Sequence, residues 1–435
     1  MSDQVLLKNA NLLDVEKGVI TTNMDILVDG EKIKAVGKDI PTDKEKSAQI
    51  DCSGKFALPG LFECHAHLAH LRSKNEETKK QIMEDFGTKE ADELETQVLR
   101  EFVIKGITQV RDVGGPVDIL RDFKDRISGG ELLGPDLFYA GPMLEKSPLV
   151  WEEQNEELPG FTVAVNSTQD AKNIIDQISK EGASLVKTFN KFDRDIFEYL
   201  IEAAKEHNLP VTHDPGTPFF HSIPMDTAID LGIRCVEHSK GPWQVVLKKD
   251  LKSEHDSLVN ADPKDKGVLR EKVFKLGVNS ISQERLQWLM DKMIQNDAYC
   301  CTTLHAVKYM RKQQSEESNG AMLEKLKILE EMDRYFTQRM IEANVKILVG
   351  QDGLLPQFTF DEMRYLKEAG HSEVEILRGA TIYPARWLGV EDQLGSISPG
   401  KRANVVILKE NPLEDIENIE ATYAVLKGGN IVFRE

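Results

Sequence analysis

The stretch Leu61-Phe62-Glu63-Cys64-His65-Ala66-His67 ends an apolar run with two histidines one residue apart. Alternate side chains of a strand share a face, so His65 and His67 project together while Cys64 and Ala66 turn away into packing. Two imidazoles at that spacing can bind one metal ion. Other metal-compatible groups close later apolar runs: Lys187 in SLVK, His213 in PVTH, His238 in CVEH, and Asp352 just after ILVGQ. A lysine ending an apolar strand is unusual, because burying an ammonium is expensive. That cost vanishes if the amine is neutral and has reacted with carbon dioxide to form a carbamate, an anion able to bridge two cations. The plainer alternatives are a hydrogen-bonded polar cluster, or a salt-bridged lysine in a one-metal site.

These groups can meet only if the strands that carry them are neighbours. The middle of the chain alternates short apolar runs with amphipathic helical segments, which is the pattern of a parallel sheet. Eight candidate strands are Ala57–His65, Ile107–Val113, Asp136–Gly141, Ser184–Phe189, Leu209–His213, Ile233–His238, Tyr299–Thr303 and Val345–Gly350. Between them, one helix places Leu94, Val98 and Phe102 on a face, and another begins near Ser167 and carries Ile174, Ile175 and Ile178. Eight such units predict an α/β (β/α)8 TIM barrel, whose chemistry sits at the C-terminal ends of its strands. An open doubly wound sheet competes, but no G-x-G-x-x-G follows the first strand. Both ends of the chain read as hairpins, with turns at Asp29-Gly30 and Gly428-Gly429. They predict a small composite β-sandwich domain (residues 1–57 plus 386–435) around a barrel spanning 58–385.

The stretches ALPGLFECHAHL, KGITQVRDVGG, GASLVKTF, PVTHDPG, CVEH, VGQDG, TIYPARWLG and LGSISPGKRANVVILKENPL occur in that order over nearly the whole chain. Together they resemble the amidohydrolase superfamily, specifically its binuclear, carboxylated-lysine branch that contains Xaa-Pro dipeptidases (prolidases). The resemblance implies that His65, His67 and Asp352 hold one divalent ion, and that His213 and His238 hold the other. Carboxylated (carbamylated) Lys187 would bridge the pair. Zn2+ is the expected metal, and Asp352 the catalytic group that shuttles a proton from water to the leaving amine. The implied reaction is hydrolysis of an amide-type C–N bond in a dipeptide, an N-acyl amino acid, or a related small amide or carbamate. Two departures bear on substrate rather than metal: GPMLEKSPLVWEEQ lacks the usual Gly-Gly-His after the third strand, and Ser239-Lys240 replaces the glycine after the sixth-strand Glu-His.

A second reading is a mononuclear deaminase or ring-opening hydrolase, imidazolonepropionase-like, of the same superfamily. Such enzymes lack the bridging lysine, and several deaminases carry a glutamate where Gly216 stands. A non-catalytic scaffold ranks last, since no ligand is missing.

His70, His221 and His305 are possible substrate contacts, whereas His207, His255 and His371 read as surface residues. Arg111-Asp112 reads as an ion pair near the barrel mouth, with support of the metal site as a second view. Residues 243–280 and 305–323 read as long insertions over the catalytic face, either solvated loops or a substrate wall.

The 55 Lys and Arg against 73 Asp and Glu leave a net charge of −18. That argues against a nucleic-acid or anionic-membrane surface. No apolar run reaches the roughly 20 residues of a membrane helix, the start lacks a signal-peptide pattern, and five cysteines make no disulfide framework. A cytoplasmic enzyme of a small-molecule substrate, with a possible homo-oligomer, is the expectation.

Overall fold

The structure, a computed structural model, describes residues 4–42, 47–88, 93–216, 223–258, 263–314 and 320–435. The two chain ends build one eight-stranded sheet. Its order is Asn430–Arg434, Thr422–Lys427, Val405–Leu408, Phe56–Pro59, Gln4–Asp14, Val19–Asp29 and Lys32–Gly37, with Ser47–Asp51 alongside Gln4–Asp14. The alternation in its strands has a physical outlet: Leu7, Ile26, Val28, Ile50, Val405, Ile407 and Leu426 form one apolar cluster. The two expected hairpin tips meet. Gly429 adopts φ 78°, and a side chain there would strike the carbonyl of Gly30.

The barrel strands are β1 (Leu61–Ala66), β2 (Ile107–Asp112), β3 (Asp136–Tyr139), β4 (Val186–Phe189), β5 (Val211–Asp214), β6 (Cys235–Glu237), β7 (Tyr299–Cys301) and β8 (Lys346–Leu348). Neighbours pair in parallel from β1 to β3 and from β4 to β8. The circle closes through Cys64 N to Val349 O at 2.9 Å and Asp352 N to His65 O at 2.8 Å.

Two strands differ from expectation. The run from Ala57 to His65 divides at Gly60, leaving Phe56–Pro59 in the composite sheet and the rest in the barrel. A side chain at Gly60 would collide with the Thr108 hydroxyl, so only glycine lets the chain cross so close to β2. The third run stops after Tyr139, and Met143–Glu145 resumes the wall by pairing with β4.

Helices cover the outside. Leu94–Ile104 buries Leu94, Val98 and Phe102. Thr168–Lys180, capped by the Ser167 hydroxyl accepting from Asp170 N, buries Ile174, Ile175 and Ile178, each worth about 1.5–3 kcal/mol.

The expected insertions are not plain loops. Residues 243–280 contain helices Lys249–Leu258 and Pro263–Leu276, anchored by a fully buried Trp243 whose Nε1 donates to Ser280 Oγ at 3.0 Å. Helices Leu304–Gln313 and Gly320–Glu342 take up nearly all the described residues of the other. Among the described residues, no helix is long and apolar enough to cross a membrane.

Candidate metal centre

β1 delivers its histidine pair as the alternation requires. The rings of His65 and His67 lie 5.3 Å apart. His65 Nδ1 lies 2.7 Å from Glu237 Oε2, and His67 Nδ1 lies 2.9 Å from the Gly114 carbonyl. Both acceptors fix the ring proton on Nδ1. The Nε2 atoms therefore turn their lone pairs inward, 3.4 and 3.3 Å from Asp352 Oδ1.

His238 follows β6 at φ 66° and Asp352 follows β8 at φ 56°. Non-glycine residues in this left-handed region cost about 1–3 kcal/mol each and cluster at functional sites. The turn brings the His238 ring within 5.0 Å of His65, while its Nδ1 meets Thr303 Oγ1 at 2.6 Å. Donor atoms of His65, His238 and Asp352 all lie within 4.8 Å of one another. Lys187, on β4 and 1% exposed, points into the same space.

His213 is not among them, which corrects the sequence reading. Its Nδ1 meets Thr188 Oγ1 at 2.9 Å and its Nε2 meets the Ile223 carbonyl at 2.9 Å. The ring packs against Phe197 on the helix side of the sheet, at 5.2 Å. The lumen position on β5 belongs to Asp214, whose Oδ2 lies 3.4 Å from Lys187 Nζ and 3.0 Å from His238 Nε2. A local signal existed. Val186 and Val211 both pack in the helix layer, so in V-K-T-F the lysine faces inward, and in V-T-H-D the threonine and aspartate do.

Burial alone would raise the Asp352 carboxyl, but His65, His67 and His238 outweigh it and hold it well below the usual range. Asp214 is likewise held down, burial being overcome by His238 and Lys187. Burial pushes His65 down to about 4, whereas Asp352 overcomes burial at His67 and raises it. Ionised carboxylates beside a neutral imidazole are the state a divalent cation takes up.

Arg111 does not pair with Asp112, and it does not sit at the mouth. It is fully buried, with Nη2 2.7 Å from Glu237 Oε1 and its guanidinium 4.9 Å above the Trp387 ring. Glu237 also accepts from the Thr212 hydroxyl. One carboxylate therefore links Arg111 to His65. Asp112 instead accepts from Leu68 N at 2.6 Å and Gly114 N at 3.1 Å, bracing the turn that holds His67.

Above the centre lies a pocket of about 420 Å³. Met143, Trp151, Phe161, Phe189, Val307 and Met310 supply apolar walls, so the segment after β7 forms part of the pocket wall. His70 lines this pocket, its ring 5.2 Å from Phe161. His305 lines a neighbouring cavity that also reaches Asp352, and stacks on Phe358 at 4.1 Å. His221 lies outside the described residues. His255 and His371, expected at the surface, are buried at 4% and 6% exposure, while His207 is exposed.

Residues 283–432 match the model of the Amidohydrolase family. The chain also shares its fold over nearly its whole length with solved structures, and the resemblance to prolidases holds at the level of architecture. One is a Xaa-Pro dipeptidase crystallised with methionine in its active site: 22% identity, 99% of this chain and 100% of the other, TM-score 0.74. Another is molinate hydrolase, at 17% identity over 99% and 94% of the two chains, TM-score 0.74. A stretch of 66 residues is 47% identical to 5-methylthioadenosine/S-adenosylhomocysteine deaminase of Carboxydothermus hydrogenoformans, covering 15% of each chain. The match thus spans only about 15% of that curated relative's length.

Proposed function

We propose that this protein is a metal-dependent hydrolase of an amide-type C–N bond in a small molecule. What carries the reading is the convergence of His65, His67, Lys187, Asp214, His238 and Asp352 on one pocket floor. The donor chemistry fits divalent cations: Nε2 lone pairs aimed inward, an ionised Asp352, and outer nitrogens already engaged by Glu237 and Gly114. Imidazole and carboxylate donors suit Zn2+. In this reading His65, His67 and Asp352 hold one ion, and His238 holds a second with Asp214 in place of His213. Lys187, as its carbamate, would be a ligand shared by the two. Bound cations of this kind acidify water and polarise a carbonyl.

The chain's own groups do the rest. Asp352, held ionised, accepts the proton of an attacking water and returns it to the leaving amine. Glu237 and the Gly114 carbonyl keep both histidines in the tautomer that presents Nε2. The apolar walls limit water around the reacting carbonyl.

One observation favours a second reading, a one-metal deaminase or ring-opening hydrolase: Lys187 Nζ lies 3.4 Å from Asp214 Oδ2, as an ammonium would. Metal content decides between them. Two ions per chain, falling towards one in Lys187→Ala with activity abolished, supports the bridged centre. One tightly held ion together with ammonia release from an aminated ring supports the alternative. Inactivity of zinc-loaded protein on N-acyl amino acids, dipeptides and aryl amides refutes the first reading.

A further inference from the structure

We infer that the pocket selects neutral amides, carbamates or ureas bearing an apolar group, and rejects substrates with a free carboxylate near the scissile bond. This rests on the hydrolase reading above and narrows its substrate.

The argument is one of charge. Among the described residues lining the pocket, Lys240 is the one lysine or arginine besides Lys187. It is not available to an anion. Its Nζ lies 3.4 Å from Asp333 Oδ2, and Asp333, 1% exposed, also accepts from the Ser239 hydroxyl. Lys187 faces Asp214 and, as the carbamate of the hydrolase reading, would itself be an anion. Asp214 also brings to the centre a negative charge that the expected histidine would not, which weakens its pull on a second anion. Away from the ions on its floor, a carboxylate in this pocket would exchange water for Phe161, Phe189, Val307 and Met310 without a free lysine or arginine as counter-charge.

Among the described residues lining the pocket, the buried side-chain atoms without partners are neutral ones. His70 Nδ1 and Gln154 Oε1 are buried, lack hydrogen-bond partners, and belong to residues that line the pocket. An amide, carbamate or urea has the uncharged donor and acceptor such atoms need.

The test is a matched pair, N-benzoylpyrrolidine and N-benzoyl-L-proline, which differ only in a carboxylate. Calorimetry on the zinc-loaded protein reads binding, and chromatography reads cleavage separately. The neutral compound should bind at least tenfold more tightly. Asp333→Asn frees Lys240 and should shrink that preference severalfold by improving binding of the acid; no shrinkage in a folded variant overturns the role given to the Lys240–Asp333 pair. Tighter binding of the acid by the unaltered protein, or binding of neither compound at millimolar concentration, overturns the inference and needs no variant. Binding of the neutral compound without cleavage sinks the hydrolase reading but leaves the pocket inference standing. Preferred binding and cleavage of the acid does the reverse.

Discussion

Glu237→Gln asks whether the barrel interior orients the histidine pair. The carboxylate is fully buried and holds Arg111 Nη2 at 2.7 Å, His65 Nδ1 at 2.7 Å and the Thr212 hydroxyl. Glutamine keeps the shape and removes the charge, so two consequences separate. Arg111 becomes a buried cation without its counter-charge, and breaking one side of such a pair costs about 3–5 kcal/mol. That is a large share of the ~5–15 kcal/mol holding a typical protein folded. His65 meanwhile loses the anion that pins its proton on Nδ1, and losing such a partner typically weakens metal affinity about 10–100-fold. Denaturant unfolding of metal-free protein reads the first effect, and competition with a chromogenic chelator reads the second. Neither depends on turnover. The double variant Arg111→Met/Glu237→Gln should regain part of the stability, since the orphaned cation is gone, while its zinc affinity stays low. Unchanged affinity in Glu237→Gln, or no regain in the double variant, refutes the coupling.

Four further outcomes are expected. Asp214→Ala should lower bound metal by about one ion per chain, as measured by plasma mass spectrometry. His213→Leu should leave metal content unchanged yet cost about 1–3 kcal/mol, because the Ile223 carbonyl loses its buried donor. Gly350→Ala should destabilise by roughly 1–3 kcal/mol, since a Cβ there meets Cys301 Sγ and approaches the His65 backbone nitrogen at 2.7 Å; an unchanged melting temperature would contradict this packing. Burial pushes His371 down to about 4, against roughly 6.5 in an unfolded chain. The unfolded chain therefore binds the proton first. Stability from this residue is complete above about pH 6.5 and is lost as pH falls towards about 4, up to ~3 kcal/mol in all. His371→Leu should flatten that acid-side loss in denaturation midpoints compared between pH 7 and pH 4.5.

The opposed faces of His65 and Cys64 were legible in the sequence because period two is a property of the strand backbone itself. The eight-strand count and the buried faces of Leu94–Ile104 and Thr168–Lys180 were legible for the same kind of reason: apolar spacing must match helix or strand geometry to be buried at all. The register of β5 was legible in principle. Val211 marks its helix-side face, yet a histidine draws attention that an aspartate beside it does not.

Other features lay beyond any local pattern. Arg111 and Glu237 are 126 positions apart, and nothing near either announces the other. They meet because the closed barrel brings the inward faces of β2 and β6 to the same depth. Burial of His255 and His371 depends on which helices later cover them, and the pairing of Lys240 depends on Asp333, 93 positions away. Covalent geometry fixes which side chains of one strand point the same way. Only closure of the sheet fixes which side chains of different strands share the space inside it, and hence what that space can bind.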